Sequence, residues 1–205
     1  VSTPRDLPAN RPGAVRDLVE RIEQNRFAGR ELLLWVWFES VVFETNLAPS
    51  GQPSCAAWLE TRISLVFEKD ETRVSSATPG TAPEAREALL QGKLPREAKL
   101  RLVQGEHEYA WLYKADTMGI STLAIPAELD SKKDDVHEVL YERMRLVEAL
   151  EATLEALFSD FLALRLSDAW EAAVLPALRR FARGEAVDAE AYRKAKQKAL
   201  GKRGR

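Results

Sequence analysis

Residues 98–114 constrain the fold most, because their polarity alternates at every second position. Ala98, Leu100 and Leu102 point one way and Lys99 and Arg101 the other. After a polar turn at Gln104-Gly105-Glu106, Tyr109, Trp111 and Tyr113 alternate with Ala110, Leu112 and Lys114. Successive side chains of a strand leave opposite faces, so this pattern predicts a hairpin with one apolar face and one mixed cationic and aromatic face. An apolar sheet face has to be covered, and that demand organises the reading of the flanking chain.

Further strands surround the hairpin. Leu59, Ile63, Leu65 and Phe67 alternate with Glu60, Arg62 and Ser64, giving a strand over 56–67. Lys69-Asp70-Glu71 turns into another at about 72–77, and Ile120–Ile125 follows Met118-Gly119. Between them, Ala82-Pro83-Glu84 opens a short helix over 82–91 that stops at Gly92. About five locally connected strands predict an antiparallel sheet, and long helices on either side in sequence make the class α+β.

Those helices supply the cover. Val15, Leu18, Val19 and Ile22 recur at three and four residues and predict a short amphipathic helix from Gly13 to about Asn25, behind a proline-rich lead-in over 1–12. Phe27–Phe43 is apolar nearly all round, leaving Arg30, Glu31, Glu39 and Ser40 for water. Trp35 and Trp37, two residues apart, face different surfaces, which fits a subunit interface beside the core or packing in the core alone. From about Lys132 to Leu166, Val136, Leu140, Val147, Leu150, Leu154, Leu157, Phe161 and Leu164 recur at three and four residues. Arg143 interrupts the seam; Val139, Met144, Leu146, Phe158 and Leu162 widen it. At 1.5 Å per residue the helix is roughly 50 Å long, more than one small sheet can cover. The tryptophan helix, the following helix or a second copy of the chain must pack on it, and a homodimer is expected, with Trp35, Trp37, Leu150 and Leu157 as interface residues. Ser167-Asp168 caps a last helix that ends near Gly184, with Pro176 expected to kink or break it. Residues 13–184 read as a single domain and 185–205 as a basic tail.

With 205 residues and 45% hydrophobic content, the chain can bury a core without a disulfide or metal. The single cysteine, Cys55, fits a reducing compartment, and the first residues lack an apolar signal core, so a cytoplasmic location off the membrane is expected. The net charge is −2, yet Arg193–Arg205 holds seven Lys or Arg and no acid, which leaves −9 on residues 1–192. Such a tail is either a nucleic-acid arm or a solubilising end.

Catalytic constellations are missing. Gly92-Lys93 has Glu87 where a phosphate loop needs its first glycine and Leu94 where it needs a hydroxyl. His107 and His137 stand far apart with no ligand-spaced partner, and Cys55 reads as a buried core thiol. Asp116 sits where a metal-dependent nuclease would place an acid, but one carboxylate is not a cluster and a turn accounts for it. No enzyme activity and no cofactor are expected. The basic set remains: Lys93, Lys99, Arg101 and Lys114, joined by Arg62 and Arg73 if their strands face the same way, with Arg193, Lys194, Lys196 and Lys198 in the tail. Cations and aromatics on a sheet suit a nucleic-acid backbone; ordinary solubility charges are the competing reading.

The succession RELLLWVWFES (30–40), PEAREALLQGKLPREAKLRL (83–102), KADTMGIS (114–121) and a helix ending in FSDFLALRLS resembles the recombination-associated protein RdgC family, in the C-terminal part of its longer members. The resemblance spans about residues 27–166. It implies a ring-shaped homodimer that binds DNA without sequence preference and modulates a recombinase, without catalysis; Lys93 matches the family's Gly-Lys. The chain departs from that pattern in lacking the long N-terminal half and in its acidic body. The expected function is nonspecific DNA binding in recombination or repair. An adaptor that holds a protein partner through its apolar helices is the alternative, and a metal-dependent nuclease a distant third.

Overall fold

The computed structural model describes residues 28–43 and 46–201; the expected helix over 13–25 and the lead-in over 1–12 lie outside them. The elements run α1 (Ala28–Val42), β1 (Asn46–Leu47), β2 (Cys55–Phe67), β3 (Asp70–Ser75), a 3-10 turn (Pro79–Thr81) and α2 (Pro83–Leu90). Next come β4 (Leu94–Gln104), β5 (His107–Lys114), β6 (Gly119–Ala124), α3 (Val136–Arg165), a π turn (Trp170–Val174), α4 (Leu175–Ala182) and α5 (Ala189–Gly201). The class is α+β, as expected, and every strand pairing is antiparallel.

The sheet runs β1-β2-β4-β5-β6, with β3 on the same edge of β2 as β1 but at its other end. Two irregularities in the β2–β4 register, at 59/63 and at 64/65, coil the long β2 strand so that one edge serves both short partners. The β4–β5 register decides which side chains share a face. Leu100 lies opposite Trp111, Leu102 opposite Tyr109 and Ala98 opposite Tyr113. Directly opposed residues point the same way, so the three aromatics join the apolar face beneath the helices. Within the hairpin the expected mixing of aromatics with cations is thereby corrected: opposite Lys99 and Arg101 stand Leu112 and Ala110, and the aromatic beside Arg101 is Trp58 of β2.

α1 lies on the apolar face. Gly29 permits this contact, since a Cβ there would come within 2.0 Å of the Ala115 carbonyl oxygen. Trp35 packs on Phe161, with ring centroids 5.8 Å apart, and Trp37 meets Phe181 edge-on at 5.4 Å and donates to the Gly80 carbonyl at 2.8 Å. The tryptophans do face two surfaces, and both belong to this chain. Leu150 and Leu157 are buried in the same core. The four residues expected at a dimer interface are thus corrected to positions buried in this chain's own core.

Glu39 and Ser40, assigned to water from the sequence, are buried as well. Ser40 donates to the Trp37 carbonyl at 2.8 Å. Glu39 is answered by the C-terminal helix: it accepts a hydrogen bond from the Tyr192 hydroxyl and pairs with Lys196 at 2.9 Å, while Trp35 Nε1 donates to Tyr192 Oη at 2.9 Å. Burial and the Glu39 charge push the Tyr192 hydroxyl well above its usual pKa. Of what reads as a basic tail, Ala189–Gly201 is a helix docked on α1, because Tyr192 and Lys196, four residues apart, lie on one face of α5 and satisfy a buried carboxylate; residues 202–205 lie outside the described residues.

Pro176 falls in the first turn of α4, directly after the π turn. Helical backbone runs unbroken through Val174 and Leu175 into α4, and the widened turn, in which the Leu175 N–H reaches the Trp170 carbonyl, accommodates the proline's missing N–H, so a π-bulge stands where a kink or break was expected. Asp135 caps α3 by accepting from the backbone N–H groups of His137 and Glu138 at 2.9 and 3.3 Å. Cys55 is a buried free thiol, and burial pushes its pKa up to about 11.

Candidate functional site

The sheet face turned away from the helices is polar and open. Its side chains come from β2 (Trp58, Glu60, Arg62, Ser64), β3 (Glu71, Arg73, Ser75), β4 (Arg96, Glu97, Lys99, Arg101) and β5 (Glu108, Lys114), with Asp116 in the turn after β5. At one end they enclose a hollow of about 520 Å³ lined by Arg62, Arg73, Arg96 and Lys114 together with Glu71, Glu97 and Asp116. Arg62 and Arg73 do face the same way as the β4 and β5 cations, as their strand positions allowed.

Six cations and five carboxylates interleave on this face. Arg62 pairs with Glu97 at 2.9 Å, Arg73 with Glu71 at 3.0 Å, Arg96 with Asp116 at 3.2 Å and Lys99 with Glu60 at 2.7 Å. Arg101 pairs with Glu108, and its guanidinium sits 5.6 Å from the Trp58 ring centre. Lys114 is exposed and has no carboxylate partner among the described residues. Hydrogen bonds from Arg73 and Ser64 hold the Glu71 carboxyl below its ordinary pKa. Asp116 is likewise held low, first by the Arg30 hydrogen bond at 2.5 Å and further by the Arg30 and Arg96 charges. Its position is a turn, tied to α1 and β4. Among the described residues no group of three His, Cys, Asp or Glu side chains is placed to hold one metal ion.

Other basic residues picked from the sequence do not belong to this face. Lys93 is 6% exposed; its ammonium donates to Thr72 Oγ1 at 2.7 Å and pairs with Asp70 at 2.8 Å. It pins the turn after α2, where Gly92 adopts a φ of 84°, to the start of β3. Its assignment as a phosphate contact is corrected, because that ammonium is spent inside the fold. On α5, Lys196 is committed to Glu39, Arg193 stacks over Phe43 at 4.8 Å, and Lys194 pairs with Glu190 at 2.7 Å; Lys198 is exposed.

A second feature lies on the covered side. Where α1, α3 and the β4–β6 end of the sheet fail to close, an apolar groove of about 500 Å³ opens between Leu32, Val36, Leu154 and Phe158, above Trp111 and Ile120. Sequence reasoning missed it, although the widened seam of α3 was its signal. α3 does not have one apolar seam but two: Leu146, Leu150, Leu157 and Phe161 enter the core, whereas Val136, Leu140, Tyr141 and Met144 remain in solvent.

The chain matches no known family model, no curated protein and no solved structure. No helix among the described residues is long and apolar enough to cross a membrane.

Proposed function

We propose that this chain is a non-enzymatic protein that binds DNA without sequence preference in recombination or repair, using the open face of its sheet. The observation that supports this is the gathering of six Lys or Arg side chains from three neighbouring strands and β3 on one face that no described residue covers, four of them, Arg62, Arg73, Arg96 and Lys114, lining a hollow wide enough for phosphate groups. Exposed ion pairs are worth about 0–1 kcal/mol, so a phosphate oxygen can displace a carboxylate from its cation, while the five carboxylates that stay on the face repel the phosphates. Binding is correspondingly weak and falls steeply with salt. The resemblance to the RdgC family points to the same class of ligand.

Anisotropy titrations with labelled single-stranded and duplex DNA, at low and at physiological salt, test the reading. Replacing Arg62, Arg73, Arg96 and Lys114 together by Gln is expected to weaken binding by at least about tenfold and to flatten the salt dependence. Undiminished binding by that variant, with loss in Lys194→Gln/Lys198→Gln instead, moves the site to α5; no binding by the unaltered chain at low salt removes the reading.

The adaptor reading is favoured by a separate observation, the solvent-exposed apolar residues of α3 with the groove beside them. Contiguous apolar surface of this kind marks interaction sites.

A further inference from the structure

The outward stripe of α3 runs through Val136, Leu140, Met144, Val147, Leu154 and Phe158. At 3.6 residues per turn these six fall within about 80° of one another round the helix, over a length of about 33 Å. The N-terminal half of the stripe stands free, with Val136 67%, Leu140 57% and Met144 54% exposed. Its C-terminal half, Leu154 and Phe158, forms a wall of the apolar groove. One straight stripe therefore begins on an overhanging helix and ends in a cleft. That shape and length exceed any small molecule and match the apolar face of a helix.

Charge selects which helix. Glu148 and Glu155 are exposed along one border, Glu151 lies within the stripe and the exposed Arg143 stands on the other border; none of the three acids has an ion pair among the described residues. A second copy of this chain fits badly. Packed antiparallel about a two-fold axis, each acidic border meets its own counterpart; packed parallel, Glu151 faces Glu151 and Arg143 alone answers the acidic border. We propose that the stripe and groove bind an amphipathic helix of another protein whose apolar face is flanked by Lys or Arg. The inference deepens the adaptor reading, on which it rests, and is independent of the sheet face.

Three labelled peptides of equal length test it, each with Leu at i, i+3, i+4 and i+7 and with flanks of Lys, Gln or Glu, titrated against the full chain. The Lys peptide is expected to bind at least about tenfold more tightly than the Glu peptide, with the Gln peptide between them. Leu140→Glu, at an exposed position that leaves the fold intact, weakens the Lys peptide by a similar factor and leaves DNA binding unchanged. Glu151→Lys/Glu155→Lys inverts the order of the Lys and Glu peptides. Equal binding of all three overturns the basic class and leaves the adaptor reading standing. Failure of all three to bind a cooperatively melting protein removes both. A sedimentation shift from dimer to monomer on Leu140→Glu assigns the face to a second copy and overturns the proposal.

Discussion

The C-terminal helix and the open face of the sheet both carry cations spaced to suggest a phosphate track, yet they use them differently. On α5, the Lys196 side chain is 18% exposed and answers a carboxylate that is 2% exposed. On the sheet, Arg62, Arg73 and Arg96 are half or more exposed, and their carboxylates are replaceable partners. The same residue type is thus a structural tie in one place and an exchangeable contact in the other. Burial makes the difference: removing one member of a buried pair strands a charge in a poorly polarisable interior, whereas an exposed partner simply returns to water.

Lys196→Met tests the strong side of the contrast and has the largest expected effect. It leaves Glu39 buried without its cation and is expected to cost about 3 kcal/mol in urea unfolding. Adding Glu39→Gln should recover part of that loss, because no buried charge then remains. Next in size is Lys93→Met, which removes an ammonium held by Thr72 and Asp70. Asp70 is largely exposed and stays hydrated, so a loss of about 1–2 kcal/mol is expected, again by urea unfolding. On the sheet, a double-mutant cycle of Arg62→Ala and Glu97→Ala should give a coupling below about 1 kcal/mol. A coupling as large as that of the α5 pair would abolish the contrast.

The smallest effect is a pH dependence. Asp116 has its pKa depressed in the folded state, so its stabilisation is complete above the ordinary carboxylate value and is lost as pH falls through the lower folded value. Asp116→Asn should therefore flatten the acid limb of the stability curve below about pH 4. With the carboxylate 39% exposed, the change amounts to less than about 1 kcal/mol.

The elements were largely legible in the sequence because each is a local pattern. Period two at 98–114 places β4 and β5, and the three-four spacing after Lys132 places α3. The faces were less legible. Tyr109, Trp111 and Tyr113 alternate in phase with nothing until a register is chosen, and only the pairing of Leu100 with Trp111 sends them to the covered side. Lys93, Lys99, Arg101 and Lys114 look alike as a string; the first is inside, the next two are paired, and the last stands free of carboxylates among the described residues. The two apolar sides of α3 could not be separated either, since a widened stripe does not say which part meets a neighbour.

By itself the sequence determined the α+β class, the antiparallel connectivity, the short helix closed by Gly92 and the surplus of apolar surface on the longest helix. Those follow from backbone geometry and side-chain periodicity over a few residues. Tertiary structure decided that the basic segment 189–201 docks as α5, that the tryptophans fill this chain's own core, that Lys93 is a structural tie, and that none of the described residues covers the acid-bordered stripe. Each of those depends on a partner far away in sequence, such as Glu39 for Lys196 across 157 residues. Burial and pairing are properties of such distant contacts, and no local pattern encodes them.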